Sequence, residues 1–257
     1  MKPKALVLRA PGTNCDQETA YAFQVAGADP EFMHINQLME APESTRSYHI
    51  LCVPGGFSFG DDIGAGRILA SKFSSRLKDC IEEFRAAEKL VLGICNGFQV
   101  LIKTGFLVPA DPLGLPVTLT WNHQGRYDCR WVTLRSADSN CVFLRETDQL
   151  YLPIAHAEGR FVLRDEATLN RLTTARQLAL QYVNPDGSNG HVPYPFNPNG
   201  SDKNIAGICD PSGRVFGLMP HPERYIDPTQ HPRWTRLPRN TPADGLRIFE
   251  NAVGFFA

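Results

Sequence analysis

The feature that most constrains this chain is a short apolar run that passes through a single cysteine into a helical pattern. Leu90–Ile94 is apolar and carries no charge, which predicts a buried strand. Cys95 follows at once, and an apolar-rich segment then continues until Gly105. A strand, a one-residue nucleophile and a helix form the layout of a nucleophile elbow, with sulfur in place of the usual hydroxyl. The sequence therefore predicts a reactive thiol at a strand-to-helix turn.

The surroundings of Cys95 favour nucleophilic chemistry. Gly93 and Gly97 stand two residues to either side of it, where a sharp turn needs residues without a Cβ. The partial positive charge at a helix N-terminus favours the thiolate. The backbone N–H of Asn96 points back towards whatever Cys95 attacks, so it is a candidate oxyanion donor. An inert buried cysteine is the alternative, because free cysteine is among the most buried residue types.

The length, net charge and cysteine content of the chain exclude several classes of protein. The chain has 257 residues, 42% of them hydrophobic, and a formal net charge of −1, which predicts a single domain spanning 1–257 with a real core. A net charge this close to zero does not favour binding to nucleic acid or to an anionic membrane. No apolar run approaches the ~20 residues of a membrane helix. We therefore expect a soluble, cytoplasmic protein without a nucleic-acid or membrane partner. Seven cysteines without a CxxC pair argue against disulfides and structural zinc, so we expect no metal.

Strand and helix patterns alternate along the first hundred residues. Strand patterns at 4–9, 30–35, 49–53 and 90–94 alternate with helical patterns at 17–26 and 75–88, with Asp16 as the expected N-cap of the first helix. This order predicts βαβ units and a parallel sheet. Later strand patterns, of which 126–134 has the alternation typical of antiparallel pairing, precede a C-terminal helix at about 243–256. The later strand patterns are 126–134, 150–154, 178–183, 205–209 and 215–219.

A glycine-rich segment at 54–67 follows the third strand pattern. Gly55 and Gly56 come directly at its carboxyl end, where an open parallel sheet places its ligands. Paired glycines let backbone N–H groups approach a substrate closely. The spacing differs from a GxGxxG nucleotide fingerprint. A flexible surface loop is the alternative interpretation.

The partners that a nucleophilic cysteine needs follow the last strand pattern. His221 and Glu223 leave a strand terminus two residues apart, so their side chains point to the same side. The prolines on either side of His221 restrict the backbone. A base held in orientation by a third group is the arrangement that activates a thiol. The alternative is a strand-end turn with a solvated histidine and glutamate.

These motifs together resemble the class I (triad-type) glutamine amidotransferase family. The resemblance is carried by the cysteine motif at 93–99, the Gly55-Gly56 turn and the motif at 220–223. Most branches have an apolar or aromatic residue after the cysteine, where this chain has Asn96. Asn96 and the segments 11–16, 54–61 and 155–160 resemble the branch of glutaminase subunits of phosphoribosylformylglycinamidine synthase, from purine biosynthesis.

This resemblance covers about residues 5–256 and implies a fold and a reaction. The implied fold is α/β, a flavodoxin-like three-layer sandwich with a mostly parallel central sheet and an added antiparallel portion. Cys95 would attack the side-chain amide of glutamine, His221 would protonate the departing ammonia and then activate water, and Glu223 would hold the imidazole. Ala157 departs from the family, where glycine is more frequent.

Further roles are implied by the same resemblance. They are Gly56 and Asn96 for the oxyanion hole, and Gly55 and Gln99 for substrate binding. His156, Glu158 and Arg160, with the loop 184–204, are candidates for partner contact or regulation, and a surface strand end with a mobile loop is the alternative. No motif assigns a role to residues 230–241.

The resemblance also implies partners. Ammonia would pass to a large ATP-dependent synthetase subunit that converts formylglycinamide ribonucleotide to formylglycinamidine ribonucleotide, and a small third subunit would assist assembly. Because this chain has no phosphate-binding loop, we expect no cofactor in it and ATP and Mg on the synthetase subunit. Two alternatives stay open: a partner-independent cysteine hydrolase or peptidase of the same fold, and a non-catalytic regulatory protein.

Overall fold

A computed structural model describes residues 2–188, 190–238 and 240–257. The loop predicted at 184–204 and the unassigned segment 230–241 each contain one residue outside this part, at 189 and 239. The strands of the described residues are β1 (Lys4–Arg9), β2 (Asp29–His34), β3 (Ile50–Val53), β4 (Leu90–Ile94), β5 (Val117–Thr120), β6 (Asp128–Ser136), β7 (Gln149–His156), β8 (Arg160–Leu163), β9 (Leu178–Tyr182), β10 (Ile205–Cys209) and β11 (Val215–Leu218). The α-helices are α1 (Asp16–Val25), α2 (Ile35–Glu40), α3 (Arg67–Lys72), α4 (Lys78–Ala86), α5 (Asn96–Thr104), α6 (Glu166–Thr174) and α7 (Leu246–Gly254).

One nine-stranded sheet organises the fold, in the order β2-β1-β3-β4-β11-β10-β9-β6-β7. The five strands from β2 to β11 pair in parallel, and the remaining four extend the sheet by antiparallel pairing. The order of the parallel part is that of a flavodoxin-like sheet. The predicted α/β fold, with a parallel sheet and an antiparallel addition, is confirmed. β5 and β8 form a separate antiparallel pair.

Burial along the strands shows which ones lie between helical layers. Every residue of β3, β4, β10 and β11 is buried, so both faces of the sheet are covered there. In β7 buried and more exposed residues alternate, as expected for a strand with one face near solvent. Helix α1 packs against α7, and α3 packs against α5. The central strands can therefore hold a site rigidly.

The carboxyl ends of the parallel strands meet at one edge of the sheet. The turn after β1, the glycine turn after β3, Cys95 after β4 and the motif after β11 all lie at this edge. Because this is where open parallel sheets bind ligands, the fold brings the predicted motifs together.

Local details differ from the sequence predictions. The residue at the N-cap position of α1 is Cys15, and Asp16 is the first helical residue, where its carboxylate pairs with Arg9. The helix predicted at 75–88 is the end of a longer helical stretch, which begins at Arg67 and passes through a π-type turn at Phe73–Leu77. Gly66, with φ of 70°, provides the left-handed conformation from which this stretch begins.

Within the described ranges, every helix falls short of the length and apolar character that crossing a bilayer requires.

Candidate active site

The predicted strand-to-helix turn is present at Cys95, and its backbone is strained. The residue has φ of 49° and ψ of −102°, where a residue with a Cβ is rarely found. Its N–H donates to the Leu218 carbonyl at 2.8 Å, and its carbonyl accepts from the Gln99 N–H at 3.1 Å. Such a conformation costs about 1–3 kcal/mol and persists where neighbours over-determine it, commonly at active sites. Contacts to β11 and α5 thus hold Cys95 at the tip of the turn, with 5% of its surface exposed.

Gly93 and Gly97 are needed for close packing, not for a positive φ. A Cβ on Gly97 would lie 1.8 Å from the Val53 carbonyl oxygen, and one on Gly93 would lie 2.6 Å from a methyl carbon of Leu101. Neither glycine has a positive φ. The two glycines therefore let α5 press against β3 and β4, which places the helix N-terminus at Cys95.

His221 and Glu223 form a buried pair at the end of β11. His221 Nδ1 lies 2.6 Å from Glu223 Oε1, and the two residues are 2% and 1% exposed. Because a carboxylate only accepts, Nδ1 carries a proton, which leaves Nε2 to exchange one. Burial opposes charging of the imidazole, but the charges of Glu223 and Cys95 outweigh it and raise the pKa of His221 well above its usual value. The folded protein therefore favours the imidazolium form of His221.

His156 is a second buried histidine. Its hydrogen bond to Asn122 determines the tautomer of its imidazole. Asn122 Oδ1 accepts from the Gly159 N–H at 3.1 Å, while its Nδ2 donates to the Arg126 and His156 carbonyls at 3.0 and 2.9 Å. The amide orientation is thereby fixed, so His156 Nδ1, 3.1 Å from Oδ1, is a donor. Burial lowers the pKa of His156 to about 3, so the ring is neutral. Its Nε2 is then an acceptor, and it has no partner within the part of the chain that the structure describes.

A small cavity of about 40 Å³ lies beside Cys95. Its lining comes from the loop 56–65, from Cys95 and Gln99, and from residues 155–158. Since a water molecule occupies roughly 10–15 Å³ on this measure, the cavity holds about three waters.

The two glycines of the predicted turn have different neighbours. Gly56 lines the cavity with φ of 139°, and its neighbour Phe57 donates its N–H to the Gly12 carbonyl at 2.9 Å. A Cβ on Gly55 would lie 2.9 Å from His221 Cε1 and 3.0 Å from Cys15 Sγ. Gly55 therefore packs against the His221 imidazole and does not line the cavity. Its assignment to substrate binding stays a prediction.

Gln99 lines the cavity, and its amide is held by the protein. Its Oε1 accepts from Asn96 Nδ2 at 2.9 Å, and its Nε2 donates to the Glu158 carbonyl at 2.7 Å. One N–H of Gln99 is left for a ligand. Its role in glutamine binding, like the oxyanion roles of Gly56 and Asn96, stays a prediction.

The residues predicted for partner contact lie closer to the cavity than expected. His156 is 3% exposed, and both His156 and Glu158 line the cavity. The Glu158 carboxylate accepts from the Ala65 N–H at 3.3 Å, so it joins the glycine-rich loop to the end of β7. Arg160 is partly buried at the start of β8. Their contact or regulatory role stays a prediction.

Cys15 and Arg224 complete the site, and sequence reasoning assigned neither of them. Cys15 Sγ lies 3.2 Å from the Arg224 guanidinium, and its donor atom lies within 4.8 Å of those of His221 and Glu223. The guanidinium charge disfavours a cation among these three groups. The available signal was the turn at 11–16, which follows a parallel strand and therefore reaches the same edge.

His231, in the segment that follows Glu223, covers an aromatic cluster. The His231 ring packs against Trp131, Tyr151 and Tyr225, with centroids 5.4–5.6 Å apart. His231 is 6% exposed. Packing of this segment onto β6 and β7 therefore anchors the chain just beyond the histidine–glutamate pair.

Comparisons with known proteins identify the family to which the chain is similar. The CobB/CobQ-like glutamine amidotransferase domain family matches residues 2–256. The chain is 47% identical over 253 residues to phosphoribosylformylglycinamidine synthase subunit PurQ of Dehalococcoides mccartyi, covering 98% of this chain and 97% of that one. It is 42% identical over 266 residues to the PurQ subunit of Methanococcus maripaludis strain S2, covering 99% and 97%.

A solved structure agrees with these relatives. The fold is similar to that of a chain in the structure of PurLQS from Thermotoga maritima, with a TM-score of 0.75, 30% identity and full coverage of both chains. On matches of this identity and extent, the chain belongs to the class I glutamine amidotransferases, in the branch formed by the PurQ subunits.

Proposed function

We propose that this chain is the glutaminase subunit of phosphoribosylformylglycinamidine synthase in de novo purine biosynthesis. It hydrolyses glutamine to glutamate and ammonia for a C–N ligase that converts formylglycinamide ribonucleotide to formylglycinamidine ribonucleotide. The observation that carries the proposal is the buried His221–Glu223 pair, 2.6 Å apart, at the same sheet edge as the strained Cys95. The full-length PurQ relatives support the choice of reaction.

In the proposed mechanism, the Cys95 sulfur bonds to the amide carbon of glutamine and the carbonyl oxygen becomes an oxyanion. The N–H groups of Gly56 and Asn96 stabilise this oxygen, each contributing roughly 3 kcal/mol. His221 protonates the nitrogen as the C–N bond breaks, leaving a thioester and ammonia. His221 then takes a proton from water, whose oxygen bonds to the thioester carbon. The C–S bond breaks, so glutamate is released and the Cys95 sulfur is free again, while Glu223 keeps the imidazole oriented.

The chain works in a complex. Its partners are a PurL-type synthetase subunit and a small PurS-type subunit, supported by the likeness to the PurLQS structure. We place ATP and Mg on the synthetase subunit and assign no cofactor to this chain, whose sequence contains no phosphate-binding loop. A cytoplasmic location suits its free cysteines. A single contiguous apolar core supports one domain spanning 1–257.

The proposal includes activation by the synthetase subunit. The cavity beside Cys95 is small, and one wall of it is the loop around Gly60. In that loop Phe59 and Asp61 adopt positive φ values of 55° and 53°, which are strained for residues with a Cβ. A strained loop beside a small cavity is an element that partner binding can reorder. The isolated chain is therefore a poor glutaminase.

Ammonia release from glutamine tests this proposal. The purified chain is assayed alone, and then with the synthetase subunit, the small subunit and ATP. We expect a rate at least about tenfold higher in the complex, because binding must reorder the loop. Equal rates in both assays support the partner-independent hydrolase, and an absence of ammonia in both supports the non-catalytic protein.

A further inference from the structure

The side chain of Asn96 has no assigned role, although it directly follows the nucleophile. It is 2% exposed and makes three hydrogen bonds. Its Oδ1 accepts from the Ser58 N–H at 3.1 Å, and its Nδ2 donates to Asp61 Oδ1 at 3.1 Å and to Gln99 Oε1 at 2.9 Å. The Ser58 N–H can only donate, so it determines which end of the amide is oxygen. Both amide protons are thereby used.

These bonds join three parts of the site. Ser58 stands two residues after Gly56, so its N–H belongs to the same turn that presents the Gly56 N–H. Asp61 also accepts from the Gly66 N–H at 3.1 Å, which closes the glycine-rich loop on itself. Gln99 continues the network from α5 to the Glu158 carbonyl. The Asn96 amide is thus where the loop and the helix of the nucleophile are tied together.

Gly56 needs such a tie because glycine is conformationally permissive. Its φ of 139° belongs to a region that glycine leaves easily, so its position has to be imposed by neighbours. Before Gly56, the Gly55 carbonyl accepts from the Cys15 N–H at 3.3 Å, and after it the Phe57 N–H donates to the Gly12 carbonyl, so both of these bonds tie the turn to the segment after β1. The bond from the Ser58 N–H to Asn96 Oδ1 is the restraint that ties the turn to the helix of the nucleophile.

We propose that the Asn96 side chain is a positioning residue for glutamine hydrolysis. It holds the backbone of the 56–61 loop against the N-terminus of α5, so that the Gly56 and Asn96 N–H groups converge on one oxyanion. This inference rests on the proposed glutaminase function. Oxyanion donors act only when they are held within about 0.5 Å of the productive geometry. The amide is suited to this task because it accepts from a backbone N–H and donates to a carboxylate, which neither aspartate nor an apolar residue does.

The test uses Asn96→Leu, which has a similar size and no hydrogen-bonding group but keeps the backbone N–H. In the assembled complex, kcat and KM are measured for glutamine hydrolysis. Alkylation of Cys95 by iodoacetamide is followed in parallel by mass spectrometry of its peptide. Displacement of iodide forms no oxyanion, so this rate reports the thiolate alone. We expect kcat to fall about 100-fold, the effect of one lost donor, with KM and alkylation within about threefold of wild type.

Two further variants keep the test decisive. Asp61→Ala removes one arm of the network and leaves Asn96 in place, so we expect a smaller fall in kcat with unchanged alkylation. Asn251→Leu removes an amide that donates to the Phe143 and Arg145 carbonyls at 2.9 Å, which should lower stability without lowering kcat. This control shows what a purely structural loss does.

The inference is overturned if Asn96→Leu and Asp61→Ala keep kcat within about threefold of wild type. It is equally overturned if Cys95 alkylation falls in proportion to kcat, because the thiol itself would then have moved. Glutamine-dependent synthesis by the wild-type complex separates the two claims. Its absence counts against the proposed function, whereas the comparison of hydrolysis and alkylation rates in the variants tests the role of Asn96.

Discussion

Replacement of His156 by asparagine should make the stability of the protein less sensitive to acid. Burial lowers the pKa of His156 to about 3, whereas histidine in an unfolded chain titrates near 6.5. Between these values the unfolded state binds a proton that the folded state does not. Stability is therefore fully present above pH 6.5 and is lost as the pH falls towards 3. Asparagine does not titrate, and its Nδ2 takes the place of the Nδ1 that faces Asn122.

The magnitude follows from proton linkage. Between pH 8 and pH 5 a single histidine of this kind removes about 2 kcal/mol of unfolding free energy, at up to about 1.4 kcal/mol per pH unit. A constant loss from truncating the ring affects both pH values and cancels in the difference. His221, whose raised pKa contributes with the opposite sign, is present in wild type and variant, and its charge adds to the effect of burial in lowering the pKa of His156.

Urea denaturation at pH 8 and pH 5 measures this difference. The fall in unfolding free energy between the two pH values should be about 2 kcal/mol smaller in His156→Asn than in wild type. A difference below about 0.5 kcal/mol would mean that His156 is protonated in the folded protein at pH 5. The assignment of Nε2 as a bare acceptor beside the cavity would then be refuted.

Two other substitutions test the site and its packing. Glu223→Gln should lower kcat for glutamine by about 100-fold or more with little change in KM, because Glu223 orients His221 instead of holding substrate; steady-state kinetics on the complex decide this, and a mutant that mainly raises KM shows a wrong assignment. Gly97→Ala should cost about 3 kcal/mol or more in urea denaturation, because its Cβ would meet the Val53 carbonyl oxygen at 1.8 Å. Gly254→Ala, with no atom within 4 Å of the added carbon, is the matched control, and equal stabilities of these two variants would contradict the packing argument.

Much of the site could be predicted because its residues directly follow strands. Cys95 and His221 come immediately or soon after apolar runs, and parallel pairing brings the ends of such runs to one edge. The sequence therefore predicts which residues meet without predicting any distance. The fold class follows from the same alternation of strand and helix patterns.

The remaining features depend on contacts between distant segments. His156 stands in a motif that suggests a surface, but the bonds of Asn122 to Gly159 and to His156 enclose it. The role of the Asn96 amide depends on the path of the 56–61 loop, which local sequence does not determine. The packing of His231 on Trp131 likewise joins residues 100 positions apart in the sequence. No local periodicity carries such information.

The central claim is that this chain only releases nitrogen, and that the acceptor chemistry lies on another subunit. Synthesis of formylglycinamidine ribonucleotide by the assembled complex carrying Cys95→Ala measures it most directly, with glutamine or ammonium as the nitrogen source. We expect glutamine-dependent synthesis to disappear and ammonium-dependent synthesis to stay at the wild-type rate, because the substitution removes the nucleophile and leaves the synthetase site intact. Loss of both activities in a correctly assembled mutant complex would contradict the division of labour proposed for the two subunits.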